Sequence, residues 1–334
     1  MSQSKYLFIK ERSGMGNRIL NLLGGILYSE LTDRKLIIEW NDAAYSSDRV
    51  NIFSKLFMLA NIEQATEIPE TNSVLPTAWQ GNIDKTVEDI LIIYGVNKND
   101  YLIGGPVFWR SYTIDVARID YTEEVVVKWS YFSEIHKLRR HFKGKFDRLK
   151  RMSDQSILRE LYRNHFVLQP HIHSRVDSFK IQKFAKKNIG VHIRHTDRKN
   201  SFDRYPKIID QLLIEEPDAS IFLATDNLEV QAFFKQRYEN KTIFTEKWFP
   251  GPKSNVAPLH WNPNCPDKLE NAIQALVDMY LLASCDYLIC DRTSTFSVVA
   301  ELISDIPESN VIDTSIHSPK RQLRKLVNFI QRWL

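Results

Sequence analysis

The sequence is poor in cysteine, with three in 334 residues, at Cys265, Cys285 and Cys290. The number is odd and the spacings lack the close pairs of a zinc site. Neither a disulfide framework nor structural zinc is expected, and a reducing compartment suits the chain. Excess charge is also scarce: 45 Lys and Arg against 41 Asp and Glu leave +4, too mild a surplus to bind nucleic acid by charge. Long apolar runs are absent, none reaching the roughly 18 residues a membrane span requires. A few polar residues, rather than an apolar leader, precede Tyr6, so the expected location is the cytoplasm or the membrane periphery. Three chemical signatures are missing as well. There is no Gly-x-Ser-x-Gly elbow for a hydrolase, no Asp-x-Asp pair of the kind that holds a divalent ion, and no P-loop or third glycine of a dinucleotide fingerprint. What is present is an ordinary globular composition, 43% hydrophobic and 26% charged, in a chain long enough for two domains.

Apolar runs of strand length alternate with helical patterns, the mark of a parallel α/β fold. Tyr6 to Ile9 reads as a strand, Gly14-Met15-Gly16-Asn17 as a turn, and Ile19 to Leu31 as a helix with Ile19, Leu22, Leu23, Ile26 and Leu27 on one face. Leu36 to Ile38 is the second strand of this βαβ opening. Between Asn41 and Arg118 the only regular signal is Leu91-Ile92-Ile93-Tyr94, read as a strand. From Phe132 to Lys187 the pattern is helical and basic. A second βα series follows, with strands at Ile189, at Ala219 to Ala224, at Thr242 to Phe244 and at Tyr287 to Cys290. Its helices are expected at Leu228 to Arg237, Leu269 to Ala283 and Phe296 to Ile303, and a last one opens at Ser318-Pro319, a cap with proline at the first helical position.

Four constellations bear on chemistry. Gly190-Val191-His192-Ile193-Arg194-His195-Thr196-Asp197-Arg198 is a buried strand that ends in cations. Ligands of open α/β sheets bind outside strand carboxyl ends, and a guanidinium there grips a diphosphate bidentately without a metal; a strand-end salt bridge is the plainer alternative for Arg194. Gly14-Met15-Gly16-Asn17-Arg18 lies at a strand-to-helix junction, where backbone and helix terminus favour an anion or sugar, or where the glycines simply pack helix on strand. Asp291-Arg292-Thr293-Ser294-Thr295-Phe296-Ser297 offers amides and hydroxyls as an uncharged phosphate cradle, more hydroxyls than capping alone requires. Asp278 is a carboxylate in an apolar helix and needs a partner, either the adjacent N1 and N2 hydrogens of guanine or an internal cation such as Arg292. The basic stretch 137–151 reads as a solvated helix face, with weak membrane-surface contact as the alternative.

In order and spacing, His192-Ile193-Arg194-His195-Thr196-Asp197, Phe222-Leu223-Ala224-Thr225-Asp226, and Leu276-Val277-Asp278 through Asp286-Tyr287-Leu288 to Thr293-Ser294 resemble the three motifs of the α1,6-fucosyltransferase superfamily of nodulation and core fucosyltransferases. The likeness spans most of residues 188 to 302. Gly14 to Arg18 and Ile37 to Trp40 share it more loosely. The resemblance implies an α/β fold of the GT-B type, two Rossmann-like domains facing a central cleft. It implies inverting, metal-independent transfer of fucose from GDP-fucose to a hydroxyl of a glycan or glycoconjugate, with no cofactor; the alternatives are transfer from another GDP-sugar on the same fold, or a non-catalytic relative that binds a nucleotide sugar or glycan. Residues 1–185 would form the acceptor-side domain with a helical insertion, 186–317 the GDP-sugar domain, and 318–334 a helix packing back toward the first.

Carried over by position, Arg194 holds the diphosphate and His192 lies against the nucleotide. Asp278 reads guanine, and Ser294 with Thr293 and Thr295 caps the β-phosphate. His195, Asp226 and the Gly14, Gly16, Asn17 turn complete the donor contacts. The chain departs from the animal members in two places: His195 stands where they carry a second arginine, and Phe202 falls opposite their acceptor-activating acid. The base is then expected at Asp203, with Asp197 behind it.

Overall fold

The computed structural model describes residues 4–96, 106–195, 203–250 and 258–315. They divide into two compact units, Met1–Leu168 and Gln169–Leu334.

The first unit carries strands β1 (Tyr6–Lys10), β2 (Lys35–Glu39), β3 (Phe57–Leu59), β4 (Val74–Leu75), β5 (Val125–Lys128) and β6 (Phe166–Leu168), with helices α1 (Met15–Thr32), α2 (Val87–Ile93) and α3 (Asp154–His165). Its main sheet runs β2-β1-β5-β4, every pair parallel, while β3 and β6 pair antiparallel apart from it. As an interior strand, β1 is covered on both faces, and Leu7, Phe8 and Ile9 are fully buried. Such strands read as unbroken apolar runs. α1 packs closely where Gly24 and Gly25 lack side chains, Gly25 against the sheet and Gly24 against the Ser133 loop. A Cβ at Gly25 would fall 2.5 Å from Ile9 Cδ1, and one at Gly24 only 1.9 Å from the Ser133 carbonyl oxygen.

The expected strand at Leu91 to Tyr94 is instead the end of α2. Thr86 and Asp89 form a reciprocal capping box at its start, and Val87, Ile90 and Leu91 turn inward onto Trp79 and Trp129. Ile92 and Ile93 are 76% and 53% exposed, which no buried strand would allow. A run of four apolar residues has no period of its own, and the cap upstream settles its conformation. In the basic stretch, Lys137 pairs with Glu134, Arg139 with Asp154, Arg148 with Glu160 and Lys150 with Asp147, as a solvated face does.

The second unit opens with α4 (Pro170–Lys183), whose proline occupies the first turn, and α4 packs on the helix Lys268–Ala283 of the same unit. Then come β7 (Asn188–Ile193), α5 (Arg204–Glu215), β8 (Ser220–Thr225), α6 (Leu228–Tyr238), β9 (Thr242–Ile243), α7 (Lys268–Ala283), β10 (Tyr287–Cys290), α8 (Thr295–Ile303) and β11 (Val311–Asp313). The sheet order is β11-β10-β7-β8-β9, all parallel. Asn227 caps α6 through the Glu229 and Val230 amides, and Asp267 caps α7 through Glu270. One face of β7, Ile189, Val191 and Ile193, joins Ile209, Leu223 and Phe234 in the core. On the other face Gly190 admits Cys285, whose Sγ lies 3.1 Å from where a Cβ would be. The helix expected at 318–334 lies outside the described residues.

Candidate functional site

At the carboxyl ends of β7, β8 and β10 the second unit collects most of the polar residues singled out in the sequence. Alternation along β7 turns His192 away from the Ile189, Val191, Ile193 face and onto α8. Its ring stacks on Phe296 at 4.7 Å and 22°, and Nδ1 lies 2.6 Å from Ser297 Oγ. Burial, with the nearby charges of Arg194 and Lys247, pushes the His192 pKa down to about 3. The imidazole is therefore neutral, and the same interaction places two cations close to it. Arg194 is the first residue past β7. The chain after it is tied to β8, since the His195 amide donates to Asp226 Oδ1 at 2.7 Å.

The turn from β10 into α8 is folded by Asp291. Its carboxylate accepts the Thr293 amide at 2.7 Å, and its carbonyl accepts the Ser294 amide at 3.0 Å. Those two amides thus have partners inside the turn. The open donors of an α-helix are the N–H groups of its first turn, which here starts at Thr295. Ser294 stands at the cap position without capping: its hydroxyl is buried and has no hydrogen-bond partner among the described residues. Arg292 is held away, its guanidinium paired to Glu301 at 2.8 and 2.5 Å.

Asp278 is buried on α7, but its cation is not the expected Arg292. Lys247 Nζ donates to Oδ2 at 2.5 Å and Thr245 Oγ1 to Oδ1 at 2.6 Å. Sequence reading missed both partners. The signal available was position, because Thr245 and Lys247 lie in the segment just past the carboxyl end of β9, as Arg194 lies just past β7. Carboxylate oxygens have about four acceptor directions between them, so two protein donors leave capacity for two more. Asp203 is exposed at the start of α5. Asp197 lies outside the described residues.

The remaining candidates belong to the first unit. Gly14 is the cap residue of α1, extended at φ −69° and ψ 161°, and its carbonyl accepts the Asn17 and Arg18 amides at 3.0 and 3.2 Å. Gly16 and Asn17 fall in the first helical turn. Arg18 is fully buried: Nε donates to the Ser13 carbonyl at 2.7 Å, Nη2 pairs with Asp42, and the guanidinium lies 5.5 and 5.0 Å from the Trp40 and Tyr45 rings. Beside it, burial raises the Glu11 pKa to about 7 against the pull of Arg18 and a hydrogen bond from Asn21. Arg18 therefore braces the glycine turn from within. Among the described residues no group of three or more His, Cys, Asp or Glu is arranged to hold a metal ion.

Comparison with known proteins places this arrangement. Nodulation protein Z of Azorhizobium caulinodans is 23% identical over 324 residues, covering 88% of each chain. The nodulation protein Z of Bradyrhizobium diazoefficiens is 24% identical over 354 residues, covering 96% of this chain and 84% of that one. A crystal structure of a NodZ α-1,6-fucosyltransferase soaked with GDP-fucose superposes with a TM-score of 0.61 at 20% identity, over 95% of this chain and 97% of that one. The fold is thereby GT-B, with two Rossmann-like lobes. The model of the family described as Nodulation protein Z (NodZ) matches residues 148–328, more than half the sequence and all of the strand ends that gather His192, Arg194, Asp226, Asp278 and Ser294. The chain belongs to that family.

Proposed function

We propose that this protein is a fucosyltransferase that moves fucose from GDP-fucose to a hydroxyl of a glycan or glycoconjugate, with inversion and without a metal. The observation that carries the reading is that Arg194 follows β7 while the adjacent strand β10 leads into α8, whose cap hydroxyl at Ser294 is buried and has no hydrogen-bond partner among the described residues. A guanidinium opposite a helix amino terminus suits a diphosphate. The solved relative soaked with GDP-fucose and a second one co-crystallised with GDP support the same donor.

The mechanism follows from where charge develops. As the bond from the anomeric carbon to the β-phosphate oxygen breaks, the electron pair leaves with GDP and the sugar becomes oxocarbenium-like. Arg194 and the first-turn amides of α8 stabilise the departing phosphate more in the transition state than before it, which is what lowers the barrier. The acceptor oxygen attacks the opposite face of that carbon and gives up its proton to a carboxylate, assigned to Asp203, with Asp197 behind it. The neutral His192 lies against the nucleotide without adding charge. His195 and Asp226 hold the strand ends, and Gly14, Gly16 and Asn17 serve the donor or acceptor from the first unit. The protein works in the cytoplasm or at the membrane periphery; no described helix is long and apolar enough to cross a membrane.

Asp278 has two roles open to it. Beside guanine recognition, its ion pair with Lys247 supports a structural role joining the segment after β9 to α7. Metal-free calorimetry tests the whole reading. GDP is expected to bind in EDTA with clear preference over UDP and ADP. Binding that requires Mg²⁺ or Mn²⁺, or that ignores the base, contradicts it.

A further inference from the structure

Ser297, in the first turn of α8, carries a fully buried hydroxyl that the mechanism above does not use. Its Oγ lies 2.6 Å from His192 Nδ1 and is also in hydrogen-bonding reach of the Cys290 thiol at the end of β10. Phe296 stacks on the imidazole at 4.7 Å. One residue of α8 thus sets the plane of the ring, and the next sets which of its edges faces the helix. Among the described residues His192 Nε2 has no hydrogen-bond partner.

A neutral imidazole holds one proton, on either Nδ1 or Nε2, and the partner of one nitrogen decides the state of the other. Were the proton on Nδ1, that N–H would donate to Ser297, and the hydroxyl would spend its own proton on the Cys290 sulfur, a weak acceptor. Burial, with Glu301 close by, pushes the Cys290 pKa up to about 12, so the sulfur already carries a proton. That arrangement would turn the thiol proton away from the hydroxyl. In the other, the thiol donates to Oγ and the hydroxyl donates to Nδ1, and every contact in the row is a matched one. The length agrees, since 2.6 Å lies in the range of O–H donors and below that of N–H donors. The proton of His192 is then on Nε2.

The consequence falls on the ligand. Arg194 and Lys247 are close enough to act on the same ring, so its surroundings are cationic and suit an anion. An N–H at Nε2 attracts a phosphate oxygen, whereas a lone pair there would repel it. We propose that Ser297 is a positioning residue whose hydroxyl holds His192 in the tautomer with its proton on Nε2, so that the ring offers a donor to the diphosphate. The inference rests on the reading of these strand ends as a GDP-sugar site.

The test is long-range proton–nitrogen NMR of the full chain with labelled histidine at neutral pH in EDTA, with and without GDP, alongside GDP calorimetry. His192→Asn identifies the His192 signals among those of the nine histidines. The wild type is expected to show an unprotonated Nδ1 and a protonated Nε2 whose shift moves on adding GDP. Ser297→Ala should populate the Nδ1-protonated form and bind GDP about tenfold more weakly, the effect of one charge-assisted hydrogen bond. Added to His192→Asn, the same substitution should cost no further affinity, because the hydroxyl acts through the ring. A wild-type proton on Nδ1 would overturn the proposal, as would a folded Ser297→Ala with unchanged ring shifts and GDP affinity. The wild-type spectrum decides even where Ser297→Ala does not fold. A wild type with the expected tautomer that binds no GDP would overturn the donor reading and the diphosphate contact with it, whereas GDP binding beside the opposite tautomer would remove only the role of Ser297.

Discussion

A carboxylate and an imidazole in the second unit, Asp278 and His192, each lack the freedom that water would give them, and each carries a measurable consequence. Asp278 is the sharpest case. The sequence showed that a carboxylate in so apolar a helix must have a partner, but a partner on another element 31 residues away, Lys247, is not visible in any local pattern. If Asp278 also reads guanine, Asp278→Asn places a donor against guanine's own donors. The preference for GDP over ADP should then fall by roughly 1–3 kcal/mol, the cost of an unsatisfied buried group. Lys247→Met is the matched control, because it removes the ion pair and keeps the carboxylate. An unchanged GDP to ADP ratio in Asp278→Asn would leave Asp278 only its structural role.

His192 supplies a prediction of a different kind. Its folded pKa, about 3, lies below the value near 6.5 of an unfolded histidine, so between those limits the unfolded chain binds a proton that the folded chain does not. Stability is therefore complete above pH 6.5 and declines as pH falls toward 3. The decline is about 1.4 kcal/mol per unit, or about 2 kcal/mol by pH 5. Urea titrations of the wild type and His192→Asn at pH 7 and pH 5 check this. The wild type should lose the extra stability and the variant should not; parallel losses in both would contradict it.

At the scale of the element, legibility followed from how much of an element's environment lies within it. β1, α1 and β2 could be read because interior strands are continuous apolar runs and α1 repeats its apolar face over four turns. β7, β8 and β10 were legible for the same reason. α2 was misread because Ile92 and Ile93 face solvent and mimic a strand, and its identity rests on the Thr86 and Asp89 cap. β4 and β11 are two and three residues long, too short for any period. The role of Gly24 in α1 was equally hidden, since it depends on the loop at Ser133. Gly24→Ala tests that contact. Helix propensity alone would favour alanine by about 1 kcal/mol, but the new Cβ would fall 1.9 Å from a backbone oxygen. A net loss of about 1–3 kcal/mol is expected from overpacking, read as a lower thermal midpoint. An unchanged or higher midpoint would contradict the packing.

For the whole molecule, the presence of two α/β units is what the sequence conveyed best, because apolar runs of strand length alternate with helical patterns in each. The second unit gathers a cation, a neutral ring, a cap hydroxyl and a buried carboxylate around its strand ends, the groups that the proposed reading assigns to a nucleotide sugar. The first unit holds a glycine turn braced by Arg18. What the sequence left unread is concentrated between Asn41 and Arg118, where short elements and loops depend on contacts with β5 rather than on their own pattern. The central claim is that Arg194 and α8 activate GDP-fucose as a leaving group without a metal. The most direct measurement is GDP release from GDP-fucose and from GDP-mannose in EDTA, with glycan acceptors supplied, for wild type and Arg194→Ala. The account predicts turnover of GDP-fucose by the wild type, little with GDP-mannose, and none by a folded Arg194→Ala whose GDP affinity has dropped about 30-fold or more, the effect of losing roughly 2–4 kcal/mol of charge-assisted contact. Near-normal GDP affinity and turnover in that variant would contradict it.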